Sequence, residues 1–165
     1  MKLQRTAYET DPVENITEAV QALANAYNRL QDALHAEPAT WASFGESLRV
    51  AIHKSVTLTG HNGLQLSLYE IGVAHAPDKR NNHPGRLSVN SEKLTRALDE
   101  RASELEVFFT CDDVGLLPRL CESLNAFKTK NAPFDDALNV YWETLYPPLV
   151  RFTNECRRLQ AFWRD

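Results

Sequence analysis

The sequence is poor in the residues that build several common kinds of site. It has three cysteines in 165 residues, Cys111, Cys121 and Cys156, and no two of them form a Cys-x-x-Cys pair. A disulfide framework and a zinc knuckle are therefore not expected, and each thiol should behave as a small apolar side chain. Glycine is also scarce, with six residues and no phosphate-binding loop or Gly-x-Ser-x-Gly motif. The sequence therefore gives no support for a nucleotide-binding loop or a serine-hydrolase elbow.

Long hydrophobic runs and a large positive charge are absent as well. No stretch approaches the eighteen or so apolar residues that a transmembrane helix needs, and polar residues stand where a secretion signal would have its apolar core. The formal net charge is −4 and the pI is about 5.7, which argues against a protein that coats nucleic acid or seeks membranes. We therefore expect a cytoplasmic protein without a membrane partner.

The composition that remains is that of an ordinary globular domain, with 43% hydrophobic and 24% charged residues. A chain of this length removes roughly two-thirds of its unfolded surface from water, so it needs neither disulfides nor a metal to fold. We predict one domain over residues 11–165, preceded by a loose arm at residues 1–10. No cofactor is expected.

Apolar residues spaced three and four positions apart predict about five helices. The clearest begins at Asp11-Pro12 and ends before Glu37-Pro38. The most aromatic occupies residues 131–165, and the other helices should cover its apolar stripe. Pro147 and Pro148 interrupt this helix, but the stripe continues in register, which favours a kink or a short break over a reversal of direction. The remaining helices are predicted at about residues 40–52, 90–109 and 117–127.

The middle of the chain has a different pattern. Residues 56–59 and 64–68 alternate apolar and polar side chains around Asn62-Gly63, which predicts a β-hairpin. Residues 74–90 then lose any period and contain many turn formers, which predicts a long loop. The predicted fold is therefore all-α, a bundle of about five helices with a β-hairpin and a long loop inserted between the second and third helices at about residues 55–90.

Two groups of residues are candidates for contacting a partner. The long loop is locally basic, and its candidates are Lys79, Arg80, His83 and Arg86. The second group is Phe162, Trp163 and Arg164, near the C-terminal end of the sequence. These residue types often anchor interfaces. The alternative for Phe162 and Trp163 is that they close one end of the core. We predict a non-enzymatic macromolecular interaction protein that binds a protein partner as an adaptor, an inhibitor or a subunit of a larger assembly. A homodimer is left open.

Two other functions stay open. Four histidines, His53, His61, His75 and His83, could assemble a metal site or a small helical ribonuclease, although none has the three- or four-residue spacing of helical metal ligands. Arg49 and His53 are four apart and would share a helix face in such a ribonuclease. Alternatively, the basic loop at residues 79–86 could contact nucleic acid through its phosphates, with salt-sensitive and sequence-blind binding.

Overall fold

The computed structural model describes residues 12–36, 41–54, 56–57, 64–76, 86–112, 114–131 and 136–163. Within these ranges the chain forms six α-helices and two antiparallel two-stranded sheets. The helices are α1 Pro12–Ala36, α2 Ala42–His53, α3 Ser91–Glu100, α4 Ala102–Thr110, α5 Leu116–Asn131 and α6 Asp136–Ala161. The strands are β1 Val56–Thr57, β2 Gln65–Leu66, β3 Val73–Ala76 and β4 Arg86–Val89. The predicted mainly helical fold with an inserted hairpin is confirmed, while the arm predicted at residues 1–10 lies outside the described residues.

The two long helices α1 and α6 form the centre of the core. On α1 the apolar residues at the predicted spacing of three and four are buried from Val20 through Leu34. On α6 the predicted stripe is buried at Leu145, Leu149, Phe152, Cys156 and Leu159. Burying apolar surface in this way supplies the main favourable free energy of folding, at roughly 25 cal/mol per Å².

The third predicted helix is divided in two. Asn90 caps α3 as its sequence position predicts, because its side-chain Oδ1 accepts a 3.0 Å hydrogen bond from the Lys93 backbone N–H. At Arg101 the backbone leaves helical geometry, with φ −131° and ψ 35°, and α4 begins at the next residue. Leu94, Leu98 and Leu105 are buried on both sides of this break. The apolar spacing therefore continues through a break that the sequence pattern does not reveal.

Helix α6 continues through its two prolines without the predicted interruption. Proline has no backbone N–H, so Pro147 and Pro148 each remove one hydrogen bond to the preceding turn. Pro147 is exposed and Pro148 is half-buried. Leu145 and Leu149 are buried on the opposite side and hold the two halves in one register. The prediction against a reversal of direction is confirmed.

The predicted β-hairpin is present as β1 paired with β2, with Val56 opposite Leu66 and Thr57 opposite Gln65. Its turn at His61-Asn62-Gly63 lies outside the described residues. Leu66 and Leu68 are buried, as the alternation predicts, whereas Leu64 is exposed.

The long loop predicted over residues 74–90 is wrong at both ends. A 3-10 turn at Tyr69–Ile71 leads through Gly72, whose φ of 102° is strained for other residues, into β3. Strand β3 then pairs with β4 from Val73 opposite Val89 to Ala76 opposite Arg86. The strands were missed because each has only four residues and turn formers dominate the sequence between them.

None of the described helices combines the length and the apolar character needed to cross a membrane.

Candidate functional sites

The predicted basic loop is only partly described. Lys79, Arg80 and His83 lie outside the described residues. Arg86 opens strand β4, and its Nη2 lies 3.2 Å from the Asp32 Oδ2 on α1. Both side chains are partly solvent-exposed. Arg86 therefore links the second sheet to α1, and its role toward a partner stays a prediction.

Next to this ion pair, a buried amide binds the edge of β4. The Asn28 Nδ2 donates to the Leu87 carbonyl at 3.0 Å, and the Leu87 N–H donates to the Asn28 Oδ1 at 2.7 Å. A primary amide presents the same donor and acceptor as a neighbouring strand would. Asn28 thus satisfies two backbone groups of a strand edge that would otherwise be buried without partners.

The C-terminal candidates have different surroundings. Trp163 is half-buried and stacks on Phe109 of α4, with ring centroids 5.2 Å apart and ring planes at 16°. Phe162 is 37% exposed, and Arg164 lies outside the described residues. Trp163 thus contributes to core closure, the alternative that the sequence left open. Partner binding by Phe162 stays a prediction.

The arginine of the proposed ribonuclease pair is held by a carboxylate. The Arg49 Nη2 lies 2.5 Å from the Glu46 Oε1, one helical turn earlier on α2. This hydrogen bond raises the pKa of Arg49 and lowers the pKa of Glu46. A phosphate at Arg49 would have to displace Glu46 or share the guanidinium with it.

Two of the four predicted histidines lie together. The His53 and His75 rings meet edge to face with centroids 5.1 Å apart. Burial lowers the pKa of His53 to about 4, and His75 and Arg49 add to that effect. His53 is therefore neutral near pH 7. His61 and His83 lie outside the described residues, and no group of three or more potential metal ligands occurs within the described part of the chain.

A buried hydrogen-bonded contact joins α1 to α2. The Gln31 Nε2 donates to the Tyr27 hydroxyl at 2.9 Å and to the Gly45 carbonyl at 2.7 Å. A Cβ at Gly45 would stand 2.5 Å from the His35 Cε1 and 2.6 Å from the Gln31 Oε1, so glycine permits this close approach. Burial raises the pKa of Tyr27, which keeps its hydroxyl protonated. This contact joins two helices and leaves little room for a substrate.

A groove of about 880 Å³ lies along the outer face of α6, beside α1. Its lining residues recur at helical spacing and form the face of α6 opposite to the buried stripe. They are Tyr146, Pro147, Pro148, Val150, Arg151, Asn154 and Glu155, together with Arg29 of α1. Tyr146 is 47% exposed and, together with the prolines and Val150, gives this face an apolar surface.

The charged residues of the groove differ in their pairing. Arg29 and Arg151 are exposed, and neither forms an ion pair with another described residue. Glu155 is half-buried, with its Oε2 at 3.6 Å from the Arg158 Nη1. The groove therefore combines apolar side chains with two guanidinium groups that have no ion-pair partner among the described residues.

Sequence reasoning did not select this groove. The sequence pattern predicts a helix interruption at Pro147 and Pro148, and Arg151 is not among the predicted site residues. The available signal was a tyrosine and two prolines on the polar side of a strongly amphipathic helix, where apolar residues are not needed for the core.

No protein family model matches the chain, and searches of curated proteins and of solved structures also find no match.

Proposed function

We propose that the protein is a non-enzymatic interaction protein that binds a segment of a partner protein in the groove of α6. The groove itself is the observation that carries this proposal. Tyr146, the two prolines and Val150 supply apolar surface that the core does not use. Tyrosine and arginine are also residue types that dominate binding energy at interfaces.

The shape of the groove favours a peptide segment. Its lining on α6 runs from Tyr146 to Glu155, which at a helical rise of about 1.5 Å per residue gives a length of roughly 14 Å. An extended chain covers about 3.3–3.6 Å per residue, so the groove accepts about four residues of a partner. Such a short contact suits an adaptor, an inhibitor or a subunit that recognises a linear motif. A cytoplasmic location stays a prediction.

The alternatives have less support. For a ribonuclease, Arg49 is already held by Glu46, and the low pKa of His53 makes it a weak base. Hydrolysis of labelled RNA by the wild type that is lost in His53→Ala would restore that hypothesis. For nucleic-acid binding, Arg86 is engaged by Asp32. A protein-dependent mobility shift of RNA or DNA at about 50 mM salt would restore that one.

The test of the proposed function fills the groove without touching the core. Asn154 lines the groove and is exposed, so Asn154→Trp should block binding while leaving the fold intact. Asn125→Trp is the matched control, because Asn125 is an exposed asparagine on α5 outside the groove.

The wild type and both variants would be immobilised and exposed to an extract of the source organism, and retained proteins identified by mass spectrometry. We expect at least one protein that the wild type and Asn125→Trp retain and that Asn154→Trp loses. Retention that is the same for all three proteins would contradict the proposal.

A further inference from the structure

We infer that the segment bound in the α6 groove is acidic, with two carboxylates within about four residues that bind Arg29 and Arg151. This inference rests on the proposed function and adds the chemistry of the partner. It starts from the arginines that have no carboxylate partner among the described residues, of which these two line the groove.

Five of the nine arginines in the described part of the chain have a carboxylate partner there, and Arg29, Arg119, Arg151 and Arg157 have none. Arg49 pairs with Glu46 at 2.5 Å, Arg96 with Glu92 at 3.6 Å and Arg101 with Glu104 at 2.5 Å. The partners in these pairs are three or four residues apart in the sequence. Arg29 and Arg151 have no such partner among the described residues, although they line one groove from two different helices.

A guanidinium group donates a planar fork of hydrogen bonds that fits a carboxylate in a bidentate manner. Two such groups beside an apolar floor are complementary to a segment in which acidic side chains flank aliphatic or aromatic ones. Glu155 is the carboxylate inside the groove, and it lies near Arg158 at 3.6 Å, which offsets part of its charge. The length of the groove limits the two carboxylates of the ligand to about four residues of extended chain.

The test begins with a display library of short random peptides selected on the immobilised wild-type protein. Enriched sequences would be synthesised with a fluorescent label, and their affinity measured by anisotropy. We expect enrichment of peptides with two Asp or Glu residues within about four positions, beside an aliphatic or aromatic residue.

Three variants then assign the contacts. Hydrogen bonds between charged groups are stronger than those between neutral ones, so Arg29→Ala and Arg151→Ala should each weaken binding about tenfold. Arg96→Ala is the control, because Arg96 is exposed on α3 and lies outside the groove. The Arg96→Ala variant should bind the selected peptides with the same affinity as the wild type. Glu→Gln changes in the peptides should weaken their binding to the wild type. The same changes should have little effect on binding to the Arg29→Ala/Arg151→Ala double variant, because the arginines that the carboxylates would contact are absent.

The outcomes separate the two proposals. Peptides without acidic bias that bind the double variant normally and are lost in Asn154→Trp would overturn the inference and leave the proposed function standing. A library with no peptide that depends on the groove would overturn both. A dimer in light scattering that the double variant converts to a monomer would identify a second copy of the chain as the occupant, which also overturns the inference.

Discussion

Helix α1 is covered on one side by α6 and on another by β4 and α2, and the side chains at the two contacts differ in kind. Toward α6 the contact is apolar: the Tyr27 ring lies 5.9 Å from the Phe152 ring, and both residues are fully buried. Toward β4 and α2 it is polar, through Asn28, Gln31 and Asp32. Apolar residues of α2 and β4, such as Leu48 and Leu87, are buried in the same core, so what distinguishes this second side is its added hydrogen bonds and ion pair.

The two kinds of contact have different consequences for the fold. Apolar burial is nondirectional and roughly proportional to area, so it stabilises the pairing of α1 with α6 without fixing the fine position of either helix. A buried hydrogen bond contributes little net free energy, but it costs much when one partner is removed. We therefore expect the α6 side to determine stability and the polar side to determine where the second sheet and α2 lie.

The largest effect should come from the apolar side. Phe152→Ala removes a fully buried ring from the centre of the core, which should lower the free energy of unfolding by about 3–5 kcal/mol. Val50→Ala is the control, because Val50 is 54% exposed on α2. Urea denaturation followed by circular dichroism measures both variants. A loss similar to that of the control would show that the contact between α1 and α6 is not the centre of the core.

The next effect should come from the polar side. Asn28→Ala leaves the Leu87 N–H and carbonyl buried without their partner, and because each such group costs at least about 1 kcal/mol, the free energy of unfolding should fall by about 2 kcal/mol or more. Hydrogen exchange should also show lost protection of the Leu87 amide, with the amides of α6 little changed.

The control for this variant is Asn25→Ala, which removes an exposed amide whose Oδ1 accepts a hydrogen bond from Gln21 on the same helix. The comparison between the two contacts would be wrong if Asn28→Ala left the Leu87 amide protected. Another group would then hold the edge of β4.

These two contacts also show what the sequence could reveal. The apolar repeat of α1 and the stripe of α6 have helical period, so their burial could be predicted from spacing alone. The polar contacts have no period. Asn28 reaches Leu87 across 59 positions and Gln31 reaches Gly45 across 14, and no local pattern signals either pair. Gly45 could only be interpreted as a weak point of α2, whereas the structure shows that it permits the close approach of α1.

The candidate groove was unpredictable for a related reason. A groove is formed by residues that two elements leave uncovered, and that depends on how α1 and α6 are placed. The composition of its face could be listed from the sequence, but the presence of Arg29 beside Arg151 follows only from the tertiary arrangement. Conversely, four histidines in the middle of the sequence suggest a shared site. Among the described histidines, His53 and His75 are the two whose rings are in contact.

A smaller effect should appear as a change in pH dependence. The folded-state pKa of His53 is about 4, below its ordinary value of 6.5, because burial, His75 and Arg49 oppose its charge. The unfolded chain therefore binds more protons between these two values. The free energy of unfolding therefore carries no penalty from His53 above about pH 6.5. It decreases as the pH falls from 6.5 toward 4, because the unfolded chain takes up the proton first.

The variant His53→Gln cannot titrate, so its stability should fall less between pH 6.5 and pH 4. We expect a difference from the wild type of about 1 kcal/mol over this range, because solvent screens part of the penalty at a half-buried ring. Denaturation midpoints measured at several pH values test this. Parallel pH profiles for the two proteins would show that His53 is not held neutral by its surroundings.

The smallest effect should come from the ion pair that joins the second sheet to α1. Arg86 and Asp32 are about half and one-third exposed, with Nη2 and Oδ2 3.2 Å apart. Pairs of this kind contribute about 0.2–1 kcal/mol. Arg86→Gln and Asp32→Asn, made singly and together, should give a coupling energy in that range that shrinks as salt is added. A coupling energy as large as the Asn28→Ala effect would contradict this order. The ion pair between Arg86 and Asp32, and not the buried amide, would then be the group that positions β4, because only a strong interaction could fix a strand edge from the surface.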